Sequence, residues 1–456
     1  MADVIVLGGS LAGLSTAMML SRRGHGVTVV ERGEPAPEDK QTALTDWTRP
    51  PQHRHSHVLL TRGVQVLREE LPDVLEDLID HGANHVPVFA FLPPPIQDRE
   101  PRPGDEDLES LCVRRPVVDW ALDRAALRDG ITIHRELARD LVVDGHRVTG
   151  VRTETQTLTA DLVVDASGRR SRVPRWLQER GITTDEHRSP CGCTYLTRAF
   201  RGEAPGPYLT GFGTFGPGDG FDALVFRGDE DTFTISLQIN ADDEDLLVAR
   251  DPAAFDAIIT ALPWTRPFYE AAEAITDVSV MAGLDNTSRR IGGVDGLLQV
   301  GDSAATSNPT LGRGMSLALM GAQLVADVVG SDDPKADLEA QRTQVIDPFI
   351  EEAWGIDERG IAKTRHRLYG DALPDLPPYP VPEEAFPFFV TERDAWHRSI
   401  RKGHLLAHPA TLWDDDLTAR VLAARPQQDP PPPVSRGECL DAARNALGRT
   451  GEPQPT

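Results

Sequence analysis

Val4-Ile-Val-Leu-Gly8-Gly9-Ser10-Leu11-Ala12-Gly13, running on through Leu14–Arg23 into Val27-Thr-Val-Val-Glu31, decides the fold of this 456-residue chain. A buried apolar strand, a glycine turn, a helix-length stretch and a second apolar strand make a βαβ unit. The helix of such a unit aims its first backbone N–H groups at a phosphate. Gly8 permits the turn, Leu11 and Ala12 open the helix, and Gly13 lets helix and strand approach, while Ser10 takes the middle position of the G-x-G-x-x-G pattern. Glu31 ends the second strand 18 residues after Gly13, where an acidic side chain binds adenosine ribose hydroxyls, with Arg32 beside it.

Two distant segments have the same strand-to-turn form. Asp161-Leu-Val-Val-Asp165-Ala-Ser-Gly168 is one; Gly296-Leu-Leu-Gln-Val-Gly301-Asp302, leading through Asn308-Pro309-Thr-Leu-Gly312-Arg313-Gly314-Met315 into an apolar helix, is the other. Three such pieces predict a single dinucleotide site and a flavoprotein. Asp302, just past an apolar strand, suits hydrogen bonds from ribityl hydroxyls; the competing role is a helix N-cap. Pro309 fixes a turn, Gly312 and Gly314 let backbone N–H groups reach the flavin N1–C2=O edge, and the following helix directs its positive end there.

Composition fits this reading and excludes others. The length exceeds one hydrophobic core. With 47 Lys+Arg against 71 Asp+Glu, the formal charge is −24, and the one basic cluster is Arg169-Arg170-Ser-Arg172, so nucleic acid is not an expected partner. The start of the chain is a core strand rather than a leader, and no run reaches membrane-spanning length, so a soluble cytoplasmic protein is expected. Cys112, Cys191, Cys193 and Cys439 are too few and scattered for a disulfide framework, and Cys191-Gly-Cys193 reads as two small strand residues.

After the βαβ unit and the polar loop Pro35–Pro51, apolar spacing predicts helix between Val58 and Ile79, a strand over Val86–Leu92, and a Pro-rich excursion from Pro93 to Asp107. A helix over Arg115–Leu127 precedes short strands at Ile131–His134, Leu141–Val143 and Val148–Arg152. Period-two alternation between Cys193 and Ile239 predicts an antiparallel sheet inserted between the second and third nucleotide segments. From Gly314 the chain reads as helical to about Arg425, and Asp429-Pro-Pro-Pro-Pro433 precedes a last helix, Arg436–Leu447.

This threading resembles the glutathione-reductase-type FAD fold, and the chain resembles the flavoprotein hydroxylase superfamily, most of all bacterial epoxidases of polyether biosynthesis. The shared pieces are Arg54-His55-Ser-His57-Val-Leu59, Arg115 with Asp119-Trp120, Asp165 to Gly168, and Gly301-Asp302 through Asn308-Pro309 to Gly312-Arg-Gly314-Met315-Ser316. The resemblance implies an α/β FAD-binding domain from residues 1–85, 108–178 and 280–345, a substrate-binding β-sheet domain from 86–107 and 179–279, and a helical region over 346–456. It implies FAD contacts from Arg54, His55, Arg115 and Arg313. It also implies oxygen insertion from O₂ through a flavin C4a-hydroperoxide, most of all alkene epoxidation, with aromatic hydroxylation or a dehydrogenase or oxidase reaction as alternatives. No acid-base triad is needed, because the protein's tasks are to exclude water and hold the substrate.

The expected walls for an apolar substrate are Val86–Leu92, with Val88, Phe89 and Phe91, and a sheet with Phe212, Phe215, Phe221, Phe226 and Phe233. Gly211-Phe-Gly213-Thr-Phe-Gly216 matches G-x-G-x-x-G literally but lacks a following helix and reads as a loop. His53, His55 and His57 alternate without a nearby carboxylate or cysteine cluster, and no metal site is expected. A halogenase of this scaffold would carry a lysine beyond the flavin, yet none lies between Lys40 and Lys335. Ser167-Gly168 replaces the Asp-Gly pair of NAD(P)H-using hydroxylases, leaving direct reduction by NAD(P)H or a separate flavin reductase open. A non-catalytic flavin sensor would need an output domain that the C-terminal tail does not offer. The purified protein is predicted to be yellow and to release FAD on denaturation. A colourless protein that binds no added FAD contradicts the assignment.

Overall fold

The computed structural model describes all residues except 48–50, 204, 207, 209–210, 375–381, 425–431 and 449–456. Its organising element is a five-stranded parallel sheet in the order Leu297–Gln299, Leu162–Asp165, Asp3–Leu7, Gly26–Val30, Thr132–His134. These strands are short and apolar because both faces are covered. Val4 and Val6 turn to the helices Leu11–Arg22, Arg115–Arg128 and Gly314–Val328 in one core; Ile5 and Leu7 turn to a second core with Val148, Val151 and Trp176. The strand meander Asp140–Asp144, Arg147–Arg152, Thr157–Thr159 supplies much of that second core.

The C-terminal ends of the sheet strands bring the three sequence-distant loops together, which is where open α/β sheets bind ligands. Two glycines make the approach possible. A Cβ on Gly13 would fall on the Gly8 carbonyl oxygen, and one on Gly301, at φ +64°, would meet the Ala12 Cβ at 2.8 Å.

The second sheet is antiparallel, in the order Gly213–Pro217, Phe221–Arg227, Thr232–Asn240, Cys193–Gly202, Ala272–Ala274, as the alternation predicted. One face packs Leu196, Val225, Phe233, Ile235 and Leu237 against the helices Pro252–Ala261 and Arg436–Ala446. The other face sends Tyr195, Leu224 and Phe226 into the core shared with the nucleotide-type sheet. Thus the last helix packs on the inserted sheet.

Several expectations are corrected. The predicted strand Val86–Leu92 is strand only over Asn84–Pro87, paired with Glu109–Cys112, and becomes a 3-10 turn over Val88–Phe91. Pro87 and Glu109 are a pair without ladder hydrogen bonds, the Val88 N–H still reaches the Leu108 carbonyl, and the chain then turns into the 3-10 segment. The predicted loop Gly211–Gly216 contains an edge strand, Gly213–Pro217. The helix predicted between Val58 and Ile79 is two, Thr61–Glu70 and Pro72–Asp80, broken where Pro72 starts the second. Arg425 and much of Asp429–Pro433 lie outside the described residues. Among the described residues no helix is long and apolar enough to cross a membrane. Gly13→Ala is predicted to destabilise the chain by at least about 1–3 kcal/mol, as overpacking against backbone does, with a lower Tm and reduced FAD content.

Candidate functional site

At the first segment, Ser10 is the N-cap of the helix Leu11–Arg22, yet its hydroxyl does not cap it. It donates to Asp119 Oδ1 at 3.0 Å and accepts from an Arg115 guanidinium N–H at 2.8 Å. The first backbone N–H groups of that helix therefore face outward beside a guanidinium, the donor set a diphosphate requires. Asp119 is fully buried and also binds Arg115 Nε at 3.2 Å and His53 Nε2 at 2.6 Å. One carboxylate thus orients Ser10 and Arg115 together. Glu31 accepts from the Gly9 N–H at 2.5 Å and the Gly33 N–H at 2.7 Å, which leaves further lone pairs for ribose hydroxyls. Arg32 and Arg54 are exposed.

Asp165 is assigned differently from the sequence reading. Its buried carboxylate accepts from the Ser167 N–H at 3.0 Å, Ser167 Oγ at 2.5 Å and Ser171 Oγ at 2.7 Å, so it holds the turn to Gly168 and presents nothing to a cofactor. Burial raises its pKa against these hydrogen bonds.

Asp302 is the opposite case. It is open to solvent, yet protein surrounds it closely enough to raise its pKa, with the charges of Arg115, Arg169 and Arg289 pulling the other way. A side chain reachable by water but enclosed by protein lines a cleft. Asp302 does not cap a helix: Arg313 occupies the N-cap of Gly314–Val328.

The loop after it is clamped from two sides. Asn308 donates its side-chain N–H to Asp357 at 2.7 Å, Asn286 donates to the other oxygen of Asp357 at 2.6 Å, and the Asn308 N–H donates to Asn286 Oδ1 at 2.7 Å. Pro309 and Gly314 remain exposed and Gly312, at φ +64°, half-buried, so the backbone of this loop is presented to the cleft. The side chains of Arg313 and Met315 are not. Arg313 is 2% exposed, bonds Glu352 at 2.6 Å and lies over the Phe349 ring, and Met315 is buried in the core. Both were expected at the cofactor; a buried charge needs its carboxylate partner, and Glu352 lies on the side away from the cleft.

The histidine segment joins the two sheets. His55 Nδ1 pairs with Thr197 Oγ1 at 2.9 Å, Ser56 Oγ with Thr234 and Ser236, and His57 Nδ1 with the His55 carbonyl at 2.8 Å. Burial, aided by nearby arginines, lowers the His55 pKa to about 4 and the His57 pKa to about 3, so both are neutral near pH 7. Among the described residues no group of three or more His, Cys, Asp or Glu could hold a metal ion. The four cysteines are free and buried.

The aromatic wall is partly as expected. Phe212 and Phe226 stack with centroids 5.9 Å apart, Phe215 lies 6.0 Å from Phe226, and Phe91 packs on the same core. Val88 and Phe89 do not join them: they pack with Leu92, Ile96 and Trp396 in a separate cluster, because the turn after Pro87 rotates them away. Phe221 and Phe233 point to the far face of the sheet. Sequence reasoning missed the seam between this sheet and the Asn308 loop. There Tyr195 OH donates to Asn308 Oδ1 at 2.5 Å and contacts Thr310, which donates to Gln238 Oε1 at 2.9 Å. Asp357 and Asn286 carried no signal either, whereas Arg115 and Asp119 stand at i,i+4, the spacing of a helical pair.

These features fit FAD: outward N–H groups and Arg115 for the diphosphate, Glu31 for the ribose, Asp302 for the ribityl chain and the Pro309–Gly314 backbone for the ring. Residues 3–44 match the sequence model of the FAD dependent oxidoreductase family. The chain is an enzyme. It is 28% identical over 404 residues, 79% of this chain and 80% of the relative, to Protein Rv3254 of Mycobacterium tuberculosis. It is 29% identical over 188 residues, 38% of each chain, to kynurenine 3-monooxygenase of Salinispora tropica. The structure of the flavin-dependent brominase Bmp2 superposes with a TM-score of 0.63 over 93% of this chain and 98% of that one, at 18% identity. The fold is therefore that of flavin-dependent monooxygenases and halogenases. Asp302→Ala is predicted to weaken FAD affinity tenfold or more, since hydrogen bonds to a charged group contribute about 1.5–3 kcal/mol. Fluorescence titration of the apoprotein with FAD measures it, and unchanged affinity removes Asp302 from the site.

Proposed function

We propose that this enzyme is an FAD-dependent monooxygenase inserting one oxygen atom of O₂ into an apolar organic substrate. The observation that carries the reading is the facing pair of surfaces. The Pro309–Gly314 loop presents backbone, and the sheet opposite presents Phe212, Phe215 and Phe226 with few charges. When bound, FAD supplies the activation of O₂. The chain's own residues bind and orient it, through Arg115, Asp302 and the loop, and the aromatic wall excludes water from the reacting atoms.

The division into an FAD-binding unit of 1–85, 108–178 and 280–345, a substrate unit of 86–107 and 179–279 and a helical cover of 346–456 is part of this reading. So is NAD(P)H as electron source, directly or through a flavin reductase. A cleft of about 650 Å³ beside the Asp165–Gly168 turn is lined by Arg169, Arg170, Arg175, Arg188 and Arg289 with Glu186 and Asp285; Arg188 and Arg289 pair with Glu186 and Arg175 with Glu179, so Arg169 and Arg170 are the charges it offers to phosphate groups.

Alkene epoxidation is the reaction to which the resemblance of Arg54–Leu59 and Asn308–Ser316 points. Aromatic hydroxylation is a second reading, favoured by a carboxylate, Asp222, on the substrate-facing side of the sheet. Halogenation has less support. Lys40 is paired with Glu230, Lys335 with the Val294 carbonyl and Lys402 with Glu352, and Lys363 stands on the helix Asp347–Tyr369, so none of the four is on that sheet. Turnover in ¹⁸O₂ over a panel of apolar alkenes and phenols is expected to place one labelled atom in the product and one in water. Loss of two hydrogens without label makes the enzyme a dehydrogenase or oxidase, and flavin binding with no oxidised product makes it a non-catalytic binder.

A further inference from the structure

The helix Arg393–Gly403 ends in a strained turn. His404 is its C-cap, and Leu405 follows at φ +64°. The Leu405 N–H returns to the Lys402 carbonyl at 3.1 Å and the Leu406 N–H to the Arg401 carbonyl at 2.9 Å, a Schellman closure whose left-handed position glycine ordinarily fills. A leucine there brings its Cβ close to the following carbonyl oxygen, and such a conformation persists only where the surroundings enforce it. Here they do: Leu405 is 5% exposed and belongs to the buried cluster that contains Leu14, Phe226 and Met315.

Lys402 and His404, both buried on the same turn, reach the two facing surfaces of the cleft from behind. Lys402 Nζ donates to Glu352 Oε1 at 2.9 Å, and the other oxygen of Glu352 accepts from Arg313 at 2.6 Å. Arg313 stands in the Pro309–Gly314 loop as the N-cap of the helix Gly314–Val328. His404 Nδ1 pairs with Thr61 Oγ1 at 2.8 Å, and its ring centroid lies 5.8 Å from that of Phe212 in the aromatic wall. The helix that carries Glu352, Asp347–Tyr369, also holds the start of the loop, through the Asp357–Asn308 bond at 2.7 Å. The loop is thus fixed at both ends from helices that follow every strand of the parallel sheet in sequence. Because an ammonium and a guanidinium share one carboxylate away from water, unseating Lys402 would deprive buried charges of a partner.

We propose that Lys402 and Glu352 are positioning residues for this loop, so that seating of the Lys402–Leu406 turn and binding of FAD are coupled. This goes beyond the oxygenase reading and requires only that FAD binds at the Pro309–Gly314 backbone. A loop already held through Arg313 loses less freedom when the cofactor closes on it. Conversely, bound FAD keeps Arg313 in place and with it Glu352 and Lys402. The strain at Leu405 acts against the seated turn, which makes the turn responsive to its ties. Linkage then requires that FAD stabilises the seated turn by the same factor by which the seated turn strengthens FAD binding.

Hydrogen exchange on the full-length protein with and without FAD tests this. FAD is expected to slow amide exchange over Lys402–Leu406 at least about tenfold, and to change that of the helix Pro252–Ala261, on the far face of the inserted sheet, less than about twofold. In Lys402→Met the effect of FAD on the turn is expected to fall within about twofold and FAD to bind about tenfold more weakly, the two losses matching. Lys402→Arg, which keeps a cation on Glu352, is expected to retain both. A merely structural lysine would lower Tm without removing the effect of FAD at the turn. The comparison in the unaltered chain needs no variant, so loss of the fold in Lys402→Met leaves the test intact. No slowing at the turn, equal slowing in Pro252–Ala261, or unchanged FAD affinity in Lys402→Met overturns the proposal. Tight FAD binding with no effect at the turn leaves the FAD assignment standing, whereas absence of FAD binding removes both.

Discussion

The close packing of Gly13 on the Gly8 carbonyl, and of Gly301 on the Ala12 methyl, is the constraint on which the rest of the site depends. Both positions abut neighbouring loops or helices with no room for a Cβ, and both lie at the C-terminal ends of the parallel strands. Three loops that are far apart in sequence therefore share one cleft. Without that approach Asp302 would stand clear of Arg115, and the outward N–H groups of the first helix would face water rather than a bound diphosphate. Packing density explains why this is decided by so little: at backbone contact there is no side chain to rearrange, so one methyl group displaces a whole helix.

Electrostatics adds a second layer. The chain carries a formal charge of −24, yet the charges that act on Asp302 are those of Arg115, Arg169 and Arg289. Such a local inversion focuses potential in a cleft and favours an anionic ligand over solvent. The buried acids in the same region are neutralised locally. Asp119 is held by Ser10, Arg115 and His53 and offsets part of the Arg115 charge, whereas Asp165 is held by two serines. Their work is to fix the rotamers of groups that touch the cleft.

What the sequence made legible was local. The βαβ unit, the helix from Arg115, the alternation between Cys193 and Ile239 and the loop from Asn308 to Gly314 are each written in consecutive residues. The misses share a different cause. Asn308 is clamped by Asp357, 49 residues on, and Asn286 by the same Asp357 at 71 residues, so neither pairing has a spacing rule. Arg313 lies within a flavin-type motif, yet its side chain follows Glu352, 39 residues away, rather than the motif. Val88 and Phe89 had the right composition for a wall, but the strand ends at Pro87 and the turn that follows carries them into a separate cluster. A motif assigns the backbone path better than it assigns the direction of each side chain.

The antiparallel sheet shows how one element serves stability and chemistry at once. Its helix-facing side is continuous hydrocarbon, with Phe233, Ile235, Leu237 and Ile239 at 1% exposure or less. Each such side chain contributes about 1.5–3 kcal/mol of burial. That surplus allows the opposite side to depart from a hydrophobic pattern: Thr197, Thr234, Ser236, Gln238 and Tyr195 stand there, nearly all of them bonded across the seam to His55, Ser56 or Thr310. Every polar group that only held the two sheets together would need such a partner, since an unmet acceptor costs more than a paired one returns.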